Sequence, residues 1–371
     1  MESTFEDRLT DSRLRPSIAD GKAGAPTADR RRNRQFDLLR ITFAVLVLLA
    51  HAPELTDGNT SQEIFTRLTH SNVTFGTLAV DGFFLLSGYL IVKSWGRGLW
   101  DFLRNRLLRI VPGYLVAVIV TTVVVGLLAP GVPHFFRNFH KDFIIGTLYL
   151  SFPRTPPVFP GLSHPIVNGP LWTINYEFRC YLLVALFGVL GLLKRPVVWL
   201  IATVFFLAAM ISPSHLHLNW HFQYFITGNP NLVFRLSAAY FVGGCYFLFK
   251  DRIPYRPVLA IIAGVALLAC MFRPWLVEPG LIVFGSYLMF YFALSDVGFL
   301  SRLQHFPDVS YGIYLYGWPV ESLIIWYFHP SPWITFVAAA LICIGIAWVS
   351  WESVERPMLK LKRRSMAALP D

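Results

Sequence analysis

Arg40 and His51 stand eleven positions apart in the first long apolar segment, FDLLRITFAVLVLLAH. An α-helix turns about 100° and rises about 1.5 Å per residue, so His51 returns to within about 20° of Arg40, about 16 Å farther along the axis. An imidazole is the side chain best suited to take up a proton near neutral pH. A guanidinium is suited to grip the oxygens of a phosphate or carboxylate. One helix face therefore carries a proton-transfer group at one depth and an anion-binding group at another.

Other ionisable residues extend the pattern. Asp81 lies in the apolar run VDGFFLLSGYL and Glu177 in LWTINYEFRCYLL. Charged groups inside such runs are costly, which makes them functional candidates. Counted from the ends of their segments, His51, Asp81 and Glu177 fall at a similar depth, so three helices are expected to bring an imidazole and two carboxylates together. In that grouping His51 is the general base that takes the proton of a hydroxyl, and either Glu177 or Asp81 orients its ring. Asp37 is too distant for that role, about 21 Å from His51 along the helix. Asn175 is a candidate donor to a developing oxyanion. At the opposite end, FLRNRLLRIVPGY carries Arg104, Arg106 and Arg109. Arg106 and Arg109, spaced i, i+3, share a helix face. Together with Arg40 they would form a guanidinium end suited to a phosphate-bearing ligand. The axial distance from Arg40 to His51 is comparable to the arm between the phosphates and the thioester of a coenzyme A.

The elements that must hold these groups are transmembrane helices. The chain has 371 residues, 55% of them hydrophobic, and a mean hydropathy of +0.52, which excludes a disordered protein and argues against a soluble enzyme. The net charge of +10 sits at the ends of apolar segments, where it encodes topology, so nucleic acid is not an expected partner. Apolar segments of spanning length fall at 36–53, 74–93, 108–129, 170–193, 196–212, 231–249, 257–272, 276–295, 309–328 and 333–353. A further run, 142–152, is short and is expected to be re-entrant or interfacial. The expected architecture is all-α and polytopic, with about ten transmembrane helices. The positive-inside rule then places both termini in the cytoplasm. Residues 1–35 are expected to be a disordered, basic cytoplasmic tail without a cleavable signal, 36–358 a single membrane domain, and 359–371 a short basic cytoplasmic tail. Cys180, Cys245, Cys270 and Cys343 lie in apolar stretches without metal-type spacing, so neither a disulfide framework nor a metal site is expected.

Taken together, these residues resemble the acyltransferase-3 family of membrane O-acyltransferases. The resemblance covers about 36–358. It rests on Arg40 with His51; Asp81-Gly82-Phe83-Phe84 with Ser87-Gly88; the arginine-rich stretch from Phe102 to Tyr114; Gly169-Pro170-Leu171-Trp172 with Tyr176-Glu177; Ser310-Tyr311-Gly312-Ile313-Tyr314-Leu315; and Glu355-Arg356-Pro357. It implies ten spans in the inner (plasma) membrane and transfer of an acyl group, usually acetyl, from cytoplasmic acyl-CoA to a hydroxyl. The usual acceptors are sugars of the cell envelope, exopolysaccharide or lipid-linked glycans. His51 would be the essential histidine, a general base or transient acyl carrier. Arg40, Arg104, Arg106 and Arg109 would bind the acyl-CoA co-substrate, with no metal. Trp172, Tyr176, Tyr311 and Tyr314 are the aromatic candidates for contact with the carbohydrate acceptor, and His164, His215, His217, Trp220 and His221 are weaker ones. The sequence departs from the family in two places. Gly317 stands where many members carry the His of a His-x-Pro motif, and the chain resembles the short members without a C-terminal hydrolase-like domain. The latter leaves room for an extracytoplasmic partner enzyme. The competing reading is a transporter or flippase for a glycan or glycolipid precursor, against which stands the want of an inverted repeat.

Overall fold

The computed structural model describes residues 28–69, 73–96, 98–129, 132–211, 229–295 and 307–367. Among them there are helices and loops but no strands. In chain order the helices are α1 (Ala28–Asp57), α2 (Ile64–Leu68), α3 (Phe75–Lys93), α4 (Leu99–Leu128), α5 (Val132–Arg137), α6 (Lys141–Leu148), α7 (Trp172–Val189), α8 (Pro196–Ile211), α9 (Pro230–Leu248), α10 (Pro257–Met271), α11 (Pro274–Gly280), α12 (Ser286–Leu294), α13 (Ser310–Phe328), α14 (Pro332–Ser350) and α15 (Arg356–Ala367). A π-helical turn, Leu281–Gly285, joins α11 to α12, and another, Trp351–Glu355, joins α14 to α15.

Sequence punctuation explains many of the boundaries. Pro196, Pro230, Pro257, Pro274 and Pro332 each open a helix, where the missing N–H costs nothing. Thr74 caps α3 by accepting from the Thr77 N–H (3.0 Å). Glu63 reaches the same helix end and accepts from the Phe75 N–H (2.5 Å).

Helices occupy all ten apolar segments expected from the sequence. Six stretches are long and apolar enough by themselves to cross a membrane: Arg34–Asp57, Phe75–Lys93, Leu99–Leu128, Asn231–Leu248, Pro274–Leu294 and Pro332–Leu361. Helices α7 and α13 are long enough but are not among the six, because they carry the polar side chains described below. The run expected to be re-entrant contains α6, whose eight residues reach only about 12 Å. Helix α1 begins at Ala28, inside the stretch expected to be an N-terminal tail, and α15 carries helix through Ala367. Both stretches are rich in arginine, lysine and alanine, strong helix formers that continue a helix already nucleated next to them.

Helix α1 packs against α3, α13 and α14, while α3 lies along α9. The α3–α9 contact is backbone to backbone. A Cβ added at Gly88 would lie 2.0 Å from the Tyr240 carbonyl oxygen, and one at Gly243 would lie 2.0 Å from that of Leu85. Small residues at both crossings allow this approach. Gly88→Ala or Gly243→Ala should therefore cost about 1–3 kcal/mol through forced separation of the helices. Gly264→Ala on α10, where the added carbon meets open space, should cost nothing. Thermal unfolding in detergent checks the contrast.

Candidate active site

Helices α1, α3, α4, α7 and α13 line a cavity of about 150 Å³. Its lining is divided by chemistry. Arg40, Arg106 and Arg109 bring guanidiniums from α1 and α4. Ser87, Thr173, Glu177, Tyr181, Ser310, Tyr311 and Tyr314 bring hydroxyls and one carboxylate, and Phe83, Phe84, Ile110 and Ile174 supply apolar wall. Glu177 Oε1 accepts from Tyr181 (2.6 Å) and Ser87 (3.0 Å). The Tyr314 hydroxyl contacts Thr173 Oγ1 (2.5 Å) and donates to the Pro170 carbonyl (2.7 Å), and Tyr311 donates to the Ile110 carbonyl (2.9 Å).

The three arginines are not equivalent. Asp308, just before α13, accepts from Arg40 Nη1 (3.0 Å) and Arg109 Nη2 (2.6 Å) on one oxygen and from Ser310 Oγ (2.5 Å) on the other. Arg40 also lies 3.5 Å from Asp37, and Arg109 lies 3.8 Å from Glu355. Arg106 makes no ion pair among the described residues, and its buried Nε has no hydrogen-bond partner there. Burial pushes the Asp308 carboxyl upward, but Arg40 and Arg109 outweigh burial and hold it below its ordinary value.

His51 belongs to a different cluster. Its Nδ1 lies 3.6 Å from Oε2 of Glu321 on α13, a carboxylate with 0% exposure. The Trp318 ring stands edge-on to the imidazole, with centroids 4.9 Å apart, and also meets His164 at 5.6 Å. His164 Nε2 lies 3.5 Å from Oε1 of Glu54, one helical turn beyond His51 on α1.

The expected meeting of His51, Asp81 and Glu177 is therefore corrected. Glu177 lines the guanidinium cavity. The loop before α7 explains this: Asn168, Gly169, Pro170 and Leu171 are buried, and Asn168 Nδ2 donates to the Leu315 carbonyl (2.8 Å), in the second turn of α13. The helix thus starts deep in the bundle, and depth counted from the start of an apolar run misplaces Glu177. Asp81 lies on α3 and accepts from Arg235 Nε (3.1 Å), with Glu278 3.6 Å from the same guanidinium. A carboxylate and a guanidinium buried on packed helices neutralise each other, so Asp81 is taken up by Arg235.

The remaining candidates disperse. Asn175 donates to the Tyr149 carbonyl (2.7 Å) and so anchors a loop. Arg104 is not part of the cavity wall. Trp172 and Tyr176 pack edge to face with each other, and the Tyr176 hydroxyl accepts from the Asn229 N–H (2.9 Å). Tyr311 and Tyr314 line the arginine cavity, not the surroundings of His51. His215, His217, Trp220 and His221 lie outside the described residues. At Gly317 an added Cβ would stand 2.4 Å from Leu48 Cδ2, so this position serves the close approach of α13 to α1. Sequence reading missed Glu321, Asp308 and Arg235. The signal for Glu321 and Arg235 was an ionisable residue within an apolar segment. No group of three or more His, Cys, Asp or Glu side chains suited to a metal occurs among the described residues.

Comparison with known proteins identifies the family. Residues 33–352 match a family model described as an acyltransferase domain. The chain is 25% identical over 340 residues to an O-acetyl transferase of Shigella phage Sf6, covering 87% of this chain and 95% of that protein. It is 25% identical over 370 residues to nodulation protein 10 of Rhizobium leguminosarum bv. viciae, covering 94% and 98%. It is also 25% identical over 331 residues to the peptidoglycan O-acetyltransferase OatA of Listeria monocytogenes, covering 77% of this chain but only 51% of that protein. No solved structure matches.

The shared carboxylate yields a pH prediction. Its folded-state value lies below its unfolded one, so the stability it contributes is complete above the ordinary Asp value of 3.8 and is lost as pH falls through the folded value. Asp308→Asn should cost about 2 kcal/mol at neutral pH and should flatten the acid side of the unfolding-temperature profile. Unfolding scans in detergent from neutral to acid pH measure both.

Proposed function

The chain belongs to the acyltransferase-3 family and is an O-acyltransferase, and from that premise we propose that it moves an acetyl group from a cytoplasmic acyl-CoA to a sugar hydroxyl at the outer face of the plasma membrane. Residues 36–358 form the catalytic membrane domain, which crosses ten times with both termini in the cytoplasm. The six apolar spans and the basic inner loops support that topology.

The observation that carries the reading is the pair of polar clusters joined by α1. Arg40 lines the guanidinium cavity. Three turns along the same helix His51 enters the Glu321 cluster. In this reading the acyl-CoA phosphates engage Arg106, and Arg40 and Arg109 add positive potential while Asp308 fixes their positions. The pantetheine arm follows the cavity wall past Ser87, Tyr181 and Tyr314. Glu177, which holds two of those hydroxyls, keeps that wall in place. The thioester is thereby presented to His51.

The chemistry then balances simply. The acceptor hydroxyl gives its proton to His51, and its oxygen bonds to the thioester carbonyl carbon. The carbon–sulfur bond breaks, and the thiolate leaves and takes a proton back as the free thiol. A two-step route, in which His51 carries the acyl group between donor and acceptor, uses the same side chains. General-base catalysis supplies about 10²–10⁴-fold of the rate, and positioning of the two substrates supplies much of the remainder. The relatives named as O-acetyltransferases support acetyl as the acyl group, and the one named for peptidoglycan supports an envelope glycan as the acceptor class.

Two outcomes test this. In purified protein in nanodiscs, thiol release from acetyl-CoA should rise on adding an envelope-polysaccharide extract, and His51→Ala should reduce it at least 10²-fold. Release that ignores His51 would sink the reading. Arg106→Ala should raise the KM for acetyl-CoA about tenfold or more with little change in acceptor dependence. An unchanged KM would remove the phosphate role.

A further inference from the structure

Glu321 has no structural partner that explains its burial. It sits on α13 with 0% exposure, and neither of its oxygens has a hydrogen-bond donor among the described residues. A buried carboxylate without donors is among the most costly groups a protein can hold, and more so inside a membrane helix. A leucine would fill similar space without that cost. The nearest group able to carry positive charge is His51, whose Nδ1 is 3.6 Å away and likewise has no partner.

Two neighbouring residues bring the pair together. Gly317, one turn before Glu321, lets α13 approach α1 at Leu48. Trp318, three residues before Glu321, stands edge-on to the imidazole and restricts its plane. With Nδ1 aimed at Glu321, the other ring nitrogen, Nε2, is the one available to a substrate. The carboxylates expected in this role from the sequence are engaged elsewhere, Asp81 by Arg235 and Glu177 by Ser87 and Tyr181.

On the reading of His51 as the proton acceptor, we propose that Glu321 is its positioning residue. The Glu321 carboxylate accepts the Nδ1–H of His51, fixing the tautomer that leaves the Nε2 lone pair for the acceptor hydroxyl. When Nε2 takes the hydroxyl proton, the imidazolium forms beside a carboxylate, and the buried pair becomes neutral as a whole. The proton then passes from Nε2 to the departing thiolate, so Glu321 neither gains nor loses a proton over the cycle. Separation by 3.6 Å is longer than a hydrogen bond, and a bond of this kind tightens when substrate fills the site.

The test compares the wild type with E321Q, E321D and H51A in nanodiscs, by thiol release from acetyl-CoA in the presence of the polysaccharide extract. E321Q, nearly isosteric but uncharged, is expected to lower kcat about 10²-fold or more while leaving the KM for acetyl-CoA unchanged. E321D, which restores the charge on a shorter arm, is expected to recover at least tenfold over E321Q. A folding defect would lower the active fraction of both variants alike, so thermal unfolding of each is measured beside the kinetics. Wild-type kcat in E321Q, or E321D no more active than E321Q, overturns the proposal. These results leave the acyltransferase reading intact so long as H51A is inactive. An active H51A overturns that reading instead.

Discussion

Asp308 accepts hydrogen bonds from Arg40 on α1 and Arg109 on α4 and stands at the start of α13. Three helices that are distant in sequence are thereby tied at one point by a single carboxylate. Guanidiniums inside an apolar bundle are costly unless an anion or polar group meets them. The Asp308 bridge meets two of them and, through Glu355 beside Arg109, also touches the end of α14. The arginine cavity depends on this arrangement. Without the shared anion, Arg40 and Arg109 would keep only the longer pairings with Asp37 and Glu355. Neutralisation of Arg40 and Arg109 also distinguishes Arg106, which has no ion pair among the described residues.

Helix α1 gives the molecule its polarity. It is continuous through Arg40 and His51, so the two polar clusters are held at a fixed separation by hydrogen-bonded backbone and not by loops. A rigid spacer suits the proposed division of labour, in which the donor is held from one side and the acceptor meets the base on the other. Precision of this kind is what positioning requires, since small displacements at a reacting pair are costly in rate. Helices α7 and α13 carry too many polar side chains to belong among the strongly apolar spans, and both contribute to the clusters. The more apolar α8 and α10 present many large hydrophobics outward, as lipid-facing helices do.

Buried charge is balanced by a partner on α3 and α9. Asp81 and Arg235 join α3 to α9 about two helical turns from the point where Gly88 and Gly243 bring the same two helices into backbone contact. The glycines set the distance, and the ion pair sets the register. At the opposite extreme, Glu321 is buried without such compensation apart from its proximity to His51, and that imbalance marks it as a residue kept for chemistry.

Much of the architecture was legible in the sequence because apolar length is a local property. All ten apolar segments became helices, and the eleven-residue spacing fixed Arg40 and His51 on one face of α1 by helical geometry alone. The resemblance to the acyltransferase-3 family was carried by short motifs, each complete within one segment. Which groups face each other was not legible. Glu177 fell in the arginine cavity because the loop before α7 plunges into the bundle, an event that hydropathy along the chain does not register. Asp81 was claimed by Arg235, some 150 residues later, and His51 met Glu321 in place of either expected carboxylate. The sequence by itself determined the helices, the membrane class and the two chemical ends of α1, since these follow from composition and periodicity. Only the tertiary structure decided the pairing of charges, because an ion pair inside the bundle depends on depth, helix rotation and neighbour order, and those are set by packing between segments that lie far apart in the chain.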